Sequence, residues 1–273
     1  MLTAAARALY REDPRPWVLD DTLALQLAGD EGTSMLDMLR DRLSRDELMA
    51  FSRWVCVRSR VAEDLVERAL AEGVRQYVIL GAGLDSFAYR RVDLLDRLRV
   101  FEVDHPASQR WKRQRLEVLS VQPPQHLVFA PVDFETQSLI DGLVASGFEA
   151  DSRAVFSWIG VTMYLTIDAI QETLRAVASC AHGSRIVLTY NQPASALDGF
   201  SRTVGDALAN AIGQAGEPFI SLFTRDEARA LMTEEGFRDV QDYGADEARR
   251  DFFQGRGDVL IAGVQRVLIG TVP

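Results

Sequence analysis

Hydrophobic positions along the chain change their period near residue 75. Before that point they recur at helical spacing. Leu19-Asp20-Asp21-Thr22-Leu23-Ala24-Leu25-Gln26-Leu27-Ala28 closes on Gly29, and Ser44-Arg45-Asp46-Glu47 is a capping box that opens a helical run lasting to Gly73. From position 76 the apolar runs are short, at 77–80, 98–103, 127–132, 154–159 and 185–190, rich in Val, Ile, Phe and Tyr. Amphipathic segments of helical length separate them. After Thr166, a predicted cap, Ile170, Leu174, Val177, Ala178 and Ala181 fall on one helical face. Such alternation predicts an α/β fold, a mostly parallel sheet with right-handed crossovers and helices on both faces.

The pattern breaks again at 191–222, a polar stretch with Pro193 and Pro218, too long for a compact connection and read as an insertion or lid. Thr224-Arg225-Asp226-Glu227 is a second capping box, and its helix ends at Gly236. Runs at 237–243 and 258–269 are predicted to pair as an antiparallel hairpin at the sheet edge, linked by the charged segment Gly244 to Gly257. No repeat or low-complexity linker divides the chain. The expected organisation is one domain over 1–273: a helical cap (1–73), a cofactor-binding core (74–190), a lid (191–222) and a carboxyl-terminal helix with edge strands (223–273).

The first apolar run ends in chemistry. Gln76-Tyr77-Val78-Ile79-Leu80 leads into Gly81-Ala82-Gly83-Leu84-Asp85, and the next run, Val100-Phe101-Glu102-Val103-Asp104, ends in carboxylates. This is the order of a nucleoside-binding βαβ unit: glycines let the backbone turn tightly and approach a ligand, and an acidic strand tip accepts hydrogen bonds from ribose hydroxyls. A dinucleotide fingerprint requires a third glycine at position 86, where this chain has Ser86. The departure favours a nucleoside without a pyrophosphate, and S-adenosylmethionine is the expected cofactor.

In an open parallel sheet ligands sit beyond the carboxyl ends of the strands. Those ends read Gly81-Ala82-Gly83, Glu102 and Asp104, Asp133-Phe134, Ser157-Trp158-Ile159-Gly160 and Tyr190-Asn191. Asp133 could accept from an adenine amino group or cap the helix before Glu135-Thr136. At least one of Glu102 and Asp104 is expected to hold the ribose, the other capping the helix near Pro106. Trp158, Tyr164 and Tyr190 are candidate aromatic walls of an acceptor pocket or plain core. His105, His126 and His182 stand away from the fourth and fifth strand ends and are read as structural or solvated.

Bulk properties narrow the partners. The formal net charge of −10 repels a polyphosphate backbone, which argues against nucleic acid, and the 47% hydrophobic chain has no apolar run of bilayer length, which argues against membrane. The amino terminus lacks an export signal, so a cytoplasmic protein is expected. Cys56 and Cys180 read as small core residues, and no His or Cys has metal spacing, so no metal is expected.

Val78-Ile79-Leu80-Gly81-Ala82-Gly83-Leu84-Asp85-Ser86-Phe87-Ala88-Tyr89-Arg90, Phe101-Glu102-Val103-Asp104-His105-Pro106 and Val161-Thr162-Met163-Tyr164-Leu165-Thr166 resemble the leucine carboxyl methyltransferase family, S-adenosylmethionine-dependent O-methyltransferases that include polyketide carboxyl methyltransferases. The resemblance covers roughly residues 15 to 243. It implies a seven-stranded Rossmann-like methyltransferase fold with an amino-terminal helical addition. It places Arg58 on the carboxylate of the methionine moiety, with the Gly81 backbone beside it, Asp104 on the ribose and Asp133-Phe134 at the adenine. Many members carry a Glu where this chain has Ile159; the carbonyls around Ser157-Trp158 are the expected replacement for its contact with the methionine amino group.

The expected reaction is methylation of a carboxylate or hydroxyl on a small hydrophobic acceptor, a peptide carboxyl terminus being a further candidate, with Tyr164 and Tyr190 positioning it. A carboxylate is already ionised at neutral pH whereas a phenol gains from a base, so the scarcity of placed histidines leans toward carboxyl. An NAD-type oxidoreductase and a non-catalytic S-adenosylmethionine-binding protein are the alternatives. Neither the acceptor nor the oligomeric state is legible.

Overall fold

The computed structural model describes residues 1–133, 137–214 and 218–273. Helices α1 (Leu2–Leu9), α2 (Ala24–Arg40) and α3 (Arg45–Ala71) precede the sheet. The αβ core then runs β1 (Gln76–Leu80), α4 (Phe87–Arg90), α5 (Val92–Leu95), β2 (Arg99–Asp104), α6 (Pro106–Val118), β3 (Leu127–Pro131), α7 (Leu139–Ala145), β4 (Ala154–Trp158), α8 (Ile167–Ala178) and β5 (Arg185–Asn191). It closes with α9 (Gly199–Gln214), α10 (Arg225–Glu234), β6 (Arg238–Tyr243), α11 (Ala245–Phe252) and β7 (Gln265–Thr271).

The seven strands lie in the order β3-β2-β1-β4-β5-β7-β6, with β7 antiparallel to both neighbours and the β1–β5 pairings parallel. Strand order reverses between β1 and β4, the switch point where such sheets open a crevice. Because side chains alternate along a strand, each face has its own core. Tyr77, Ile79, Val155, Val187 and Val267 pack with α3 and α11, while Val78, Leu80, Phe156, Trp158, Leu188 and Tyr190 pack with α7, α8 and α10.

Both capping boxes form. Ser44 accepts from the Glu47 N–H and Thr224 from the Glu227 N–H, and each glutamate reaches back to its cap. The helix expected over 19–28 starts instead at Ala24. Leu19 and Asp21 are drawn into tertiary contacts, and the chain kinks at Gly29 and continues to Arg40. Gly29 holds a φ of +63, a left-handed conformation that favours glycine at the kink.

The carboxyl-terminal hairpin also differs from expectation. β7 begins at Gln265 and lies inside the sheet between β5 and β6, leaving β6 at the edge, and the linker contains α11. One apolar run serves two partners: Val259, Ile261, Ala262 and Val264 pack against the cap or α3, and only the residues from Gln265 onward pair with β5. Residues 191–222 hold a 3₁₀ turn (Ala194–Ala196) and α9, whose Val204, Leu208 and Ala211 share a hydrophobic cluster with α1, α2 and α3. The cap and this segment are therefore one packed layer.

Candidate active site

A cavity of about 390 Å³ opens over the carboxyl ends of β1, β4 and β5, between the sheet and that helical layer. Gly81, Ala82 and Gly83 form its floor, Arg58 and Trp54 of α3 one wall, Ile159, Gly160, Asn191 and Gln265 another, and Leu208, Ile212 and Phe219 of the 191–222 segment the roof. Its size is that of a small-molecule site.

The glycine turn is built for close approach. Gly81 (φ +64) leaves 2.5 Å between the place of a Cβ and Val161 Cγ2, and Gly83 (φ +45) turns its N–H toward Asp104 Oδ2 at 2.6 Å. The other Asp104 oxygen accepts from the His105 N–H at 2.7 Å. Asp104 is partly exposed, and a carboxylate has lone pairs beyond these two bonds. Glu102 behaves differently. It is fully buried and its Oε2 accepts from Lys112 Nζ at 2.6 Å, while the same ammonium donates to the Asp85 carbonyl at 2.7 Å. Burial, only partly offset by Lys112, pushes the Glu102 carboxyl up to about 7. Glu102 thus ties β2 to the glycine turn, with its Oε1 buried and without a hydrogen-bond partner among the described residues; of the two candidate acids only Asp104 is accessible. The helix at Pro106 is capped by His105, whose Nδ1 accepts from the Ala107 N–H.

Arg58 is buried and lines the cavity. Its Nη1 donates to Gln265 Oε1, its Nε has no hydrogen-bond partner, and among the described residues no carboxylate lies within ion-pair distance of it. Burial, with the nearby Arg7 charge adding to it, brings the guanidinium down to about 10, which leaves it a cation at neutral pH. A buried cation lacking a counterion is costly unless a ligand supplies one. Gly160 (φ +78) makes room for it, since a Cβ there would stand 3.1 Å from Nη2.

The other expected site residues separate. Ser157 lines the cavity and accepts from the Tyr77 hydroxyl at 2.9 Å, and Ile159 lines it beside Gly160. Tyr164, on a 3₁₀ turn (Thr162–Tyr164), also lines it, 5.8 Å between ring centroids from Phe219. Trp158 and Tyr190 do not. Strand alternation sends both to the opposite face, where Trp158 is core and the Tyr190 hydroxyl donates to Asp242 Oδ2 at 2.6 Å. Neither is a pocket wall, and Tyr190 positions no acceptor. Asp133 follows the edge strand β3 outside the cavity, its N–H donating to Gln137 Oε1 at 3.1 Å; Phe134 lies outside the described residues.

Sequence reading missed the residues that hold the cap on the site. Asp21 Oδ2 accepts from Arg7 Nε at 2.7 Å and from the Ser86 hydroxyl at 2.5 Å, and Arg7 Nη2 donates to the Leu84 carbonyl at 2.7 Å. Burial would raise the Asp21 carboxyl, but Arg7, Arg90 and Ser86 outweigh it and hold it below the usual range. Ser86, which departs from the dinucleotide fingerprint, was the available signal. Gln265, linking Arg58 to Asn191 Oδ1 at 2.9 Å, carried none.

S-adenosylmethionine fits these residues: a buried cation without a counterion for its carboxylate, a turn whose two glycines both hold a positive φ and of which Gly81 has no room for a Cβ, and, just outside the cavity lining, a partly exposed acid at the tip of β2. Among the described residues no group of His, Cys, Asp and Glu could hold a metal ion, and no helix is long and apolar enough to cross a membrane.

A family model described as leucine carboxyl methyltransferase matches residues 1–178. YktD of Bacillus subtilis, named among the S-adenosyl-L-methionine-dependent methyltransferases, is 30% identical over 96% of this chain and 93% of its own. The fold is that of a DUF574 family protein from Streptomyces avermitilis (TM-score 0.61, 16% identity, 99% and 97% of the two chains covered). It is shared with human N-acetylserotonin methyltransferase, solved in complex with S-adenosylmethionine (TM-score 0.53, 14% identity, 99% and 66% covered). The chain belongs to the leucine carboxyl methyltransferase family and is a methyltransferase whose methyl donor is S-adenosyl-L-methionine.

Proposed function

We propose that this methyltransferase acts on oxygen and that its acceptor is the carboxylate of a small apolar molecule. The observation that carries this is the absence of a base from the cavity wall. Among the described lining residues there is no histidine. Of the two carboxylates, Glu63 is ion-paired with Arg90 at 2.6 Å and Arg91 at 3.5 Å, and Asp85 caps α4 by accepting from the Phe87 N–H at 2.7 Å. An acceptor that arrives ionised needs no base, and a carboxylic acid with pKa near 4 does so where a phenol near 10 does not.

When bound, the cofactor supplies a methyl group whose S–C bond breaks, the electron pair returning to sulfur, as a carboxylate lone pair forms the new O–C bond; no proton is exchanged. Arg58 holds the methionine carboxylate, the Gly81–Gly83 backbone and Ser157-Ile159 border that moiety, and Asp104 holds the ribose. The roof of Leu208, Ile212 and Phe219, with Tyr164 beneath it, excludes water and fixes the acceptor in line, which is where most of the rate enhancement of such a displacement arises. A roof packed into the cap favours a small molecule over a peptide terminus. Unpaired thiols at Cys56 and Cys180 agree with a cytoplasmic setting.

The test is turnover of S-adenosylmethionine against matched hydrophobic carboxylic acids, phenols and a peptide with a free carboxyl terminus. Alkali-labile methyl esters of the small acids are expected; alkali-stable ethers formed only from phenols would sink the proposal.

A further inference from the structure

Asn191 ends β5 with its side chain against the cavity, and the orientation of its amide is dictated by Arg58 through Gln265. A guanidinium only donates, so the Gln265 atom that meets Arg58 Nη1 is the acceptor Oε1. Gln265 Nε2 is thereby turned toward Asn191 and donates to Oδ1 at 2.9 Å. That bond uses the Asn191 oxygen and leaves Nδ2 as its outward atom. Asn191 is 4% exposed and lines the cavity, yet none of the described residues accepts from Nδ2. A hydrogen-bond chain that starts on a cation therefore ends on an unused N–H pair at the strand next to β4.

We propose that Asn191 Nδ2 is the donor that receives the acceptor's carboxylate, and that Gln265 is the positioning residue that keeps it facing the cavity. This rests on the carboxyl-acceptor reading above and adds to it the group that holds the acid. A neutral amide suits the task. The acceptor loses its negative charge as the ester forms, so a cation at this point would stabilise the ground state more than the transition state, while an amide orients the carboxylate at smaller cost. One N–H engages one oxygen and leaves the other free to attack. With β4 between β1 and β5, Asn191 stands two strand spacings, roughly 10 Å, from the glycine turn, while Gln265 alone stands between it and Arg58.

The experiment measures binding of octanoate and phenylacetate, and of the corresponding amides, to the protein saturated with S-adenosylhomocysteine. The wild-type complex is expected to prefer acid over amide. Asn191→Asp turns the donor into an acceptor and should invert that preference, with an acid affinity at least about tenfold weaker and an S-adenosylhomocysteine affinity close to wild type. Gln265→Leu should collapse the acid-to-amide ratio toward unity, which a general loosening, lowering both affinities alike, would not do. An unchanged ratio in Asn191→Asp, or a wild-type complex that binds neither acid, overturns the proposal. If acids bind and are methylated with the ratio untouched, only the role of Asn191 fails; if phenols bind and are methylated while acids do neither, the carboxyl reading fails with it.

Discussion

The Ser86 hydroxyl donates to Asp21 Oδ2 at 2.5 Å, fastening the turn after β1 to the segment that precedes α2. Both groups are buried, and the same carboxylate holds Arg7, whose other arm reaches the Leu84 carbonyl. The position that departs from a dinucleotide fingerprint thus seats the cap on the cofactor turn. Ser86→Gly, which restores the fingerprint, is expected to destabilise the fold by about 1–3 kcal/mol and to confer no NAD binding. Urea unfolding and a fluorescence titration with NADH check this, and NADH binding in the variant would contradict it.

Arg58 is costly to the empty protein and useful to the complex. Arg58→Met should raise the melting temperature of the cofactor-free enzyme, because it removes a buried cation with no counterion, while cofactor binding falls by well over about tenfold. Arg58→Lys retains charge without the planar fork and should bind between the two. Calorimetry with S-adenosylhomocysteine reads both, and wild-type affinity in Arg58→Met would remove the carboxylate assignment.

Asp104 and Glu102 should part company under mutation. Asp104→Ala is expected to cost about 1–3 kcal/mol of cofactor affinity, the loss of a partner to a partly buried polar group. Glu102→Gln should change affinity far less. Equal losses at both positions would mean that the buried acid also reaches the ribose.

The raised Glu102 carboxyl makes stability depend on pH. A group whose folded pKa lies above its unfolded value contributes fully below the unfolded pKa, near 4.5, and that contribution is lost as pH rises through about 7. Glu102→Gln should flatten the fall in unfolding free energy across that window, measured by urea denaturation at several pH values. An identical slope in wild type and variant would place the titration elsewhere.

Phe219 belongs to the roof and not to the cofactor floor. Phe219→Ala should lower turnover several-fold while S-adenosylhomocysteine affinity stays near wild type. Excising the whole segment is a poorer test, since Val204, Leu208 and Ala211 share the core of the cap. A drop in cofactor affinity equal to the drop in turnover would contradict the roof assignment.

What the chain determines locally was legible in its sequence. Strands β1 to β5 follow from short runs of branched and aromatic residues, and the starts of α3 and α10 from two capping boxes, since a Ser or Thr and a Glu three residues on satisfy each other's backbone donors without outside help. The glycine turn and the acids at the carboxyl end of β2 were visible for the same reason, and Arg58 by family likeness. Other features depended on what faces what. Period-two alternation shows that Ser157 and Trp158 point oppositely, but only the packing of α7, α8 and α10 on one face makes Trp158 and Tyr190 core. Glu102 and Asp104 look alike until α6 brings Lys112 over one of them. Asp21 with Ser86, and Arg58 with a Gln265 that lies 207 residues away, meet only because the cap folds back over the strand ends. Buried charges must find partners wherever the folded chain places them, and sequence spacing carries no record of that search.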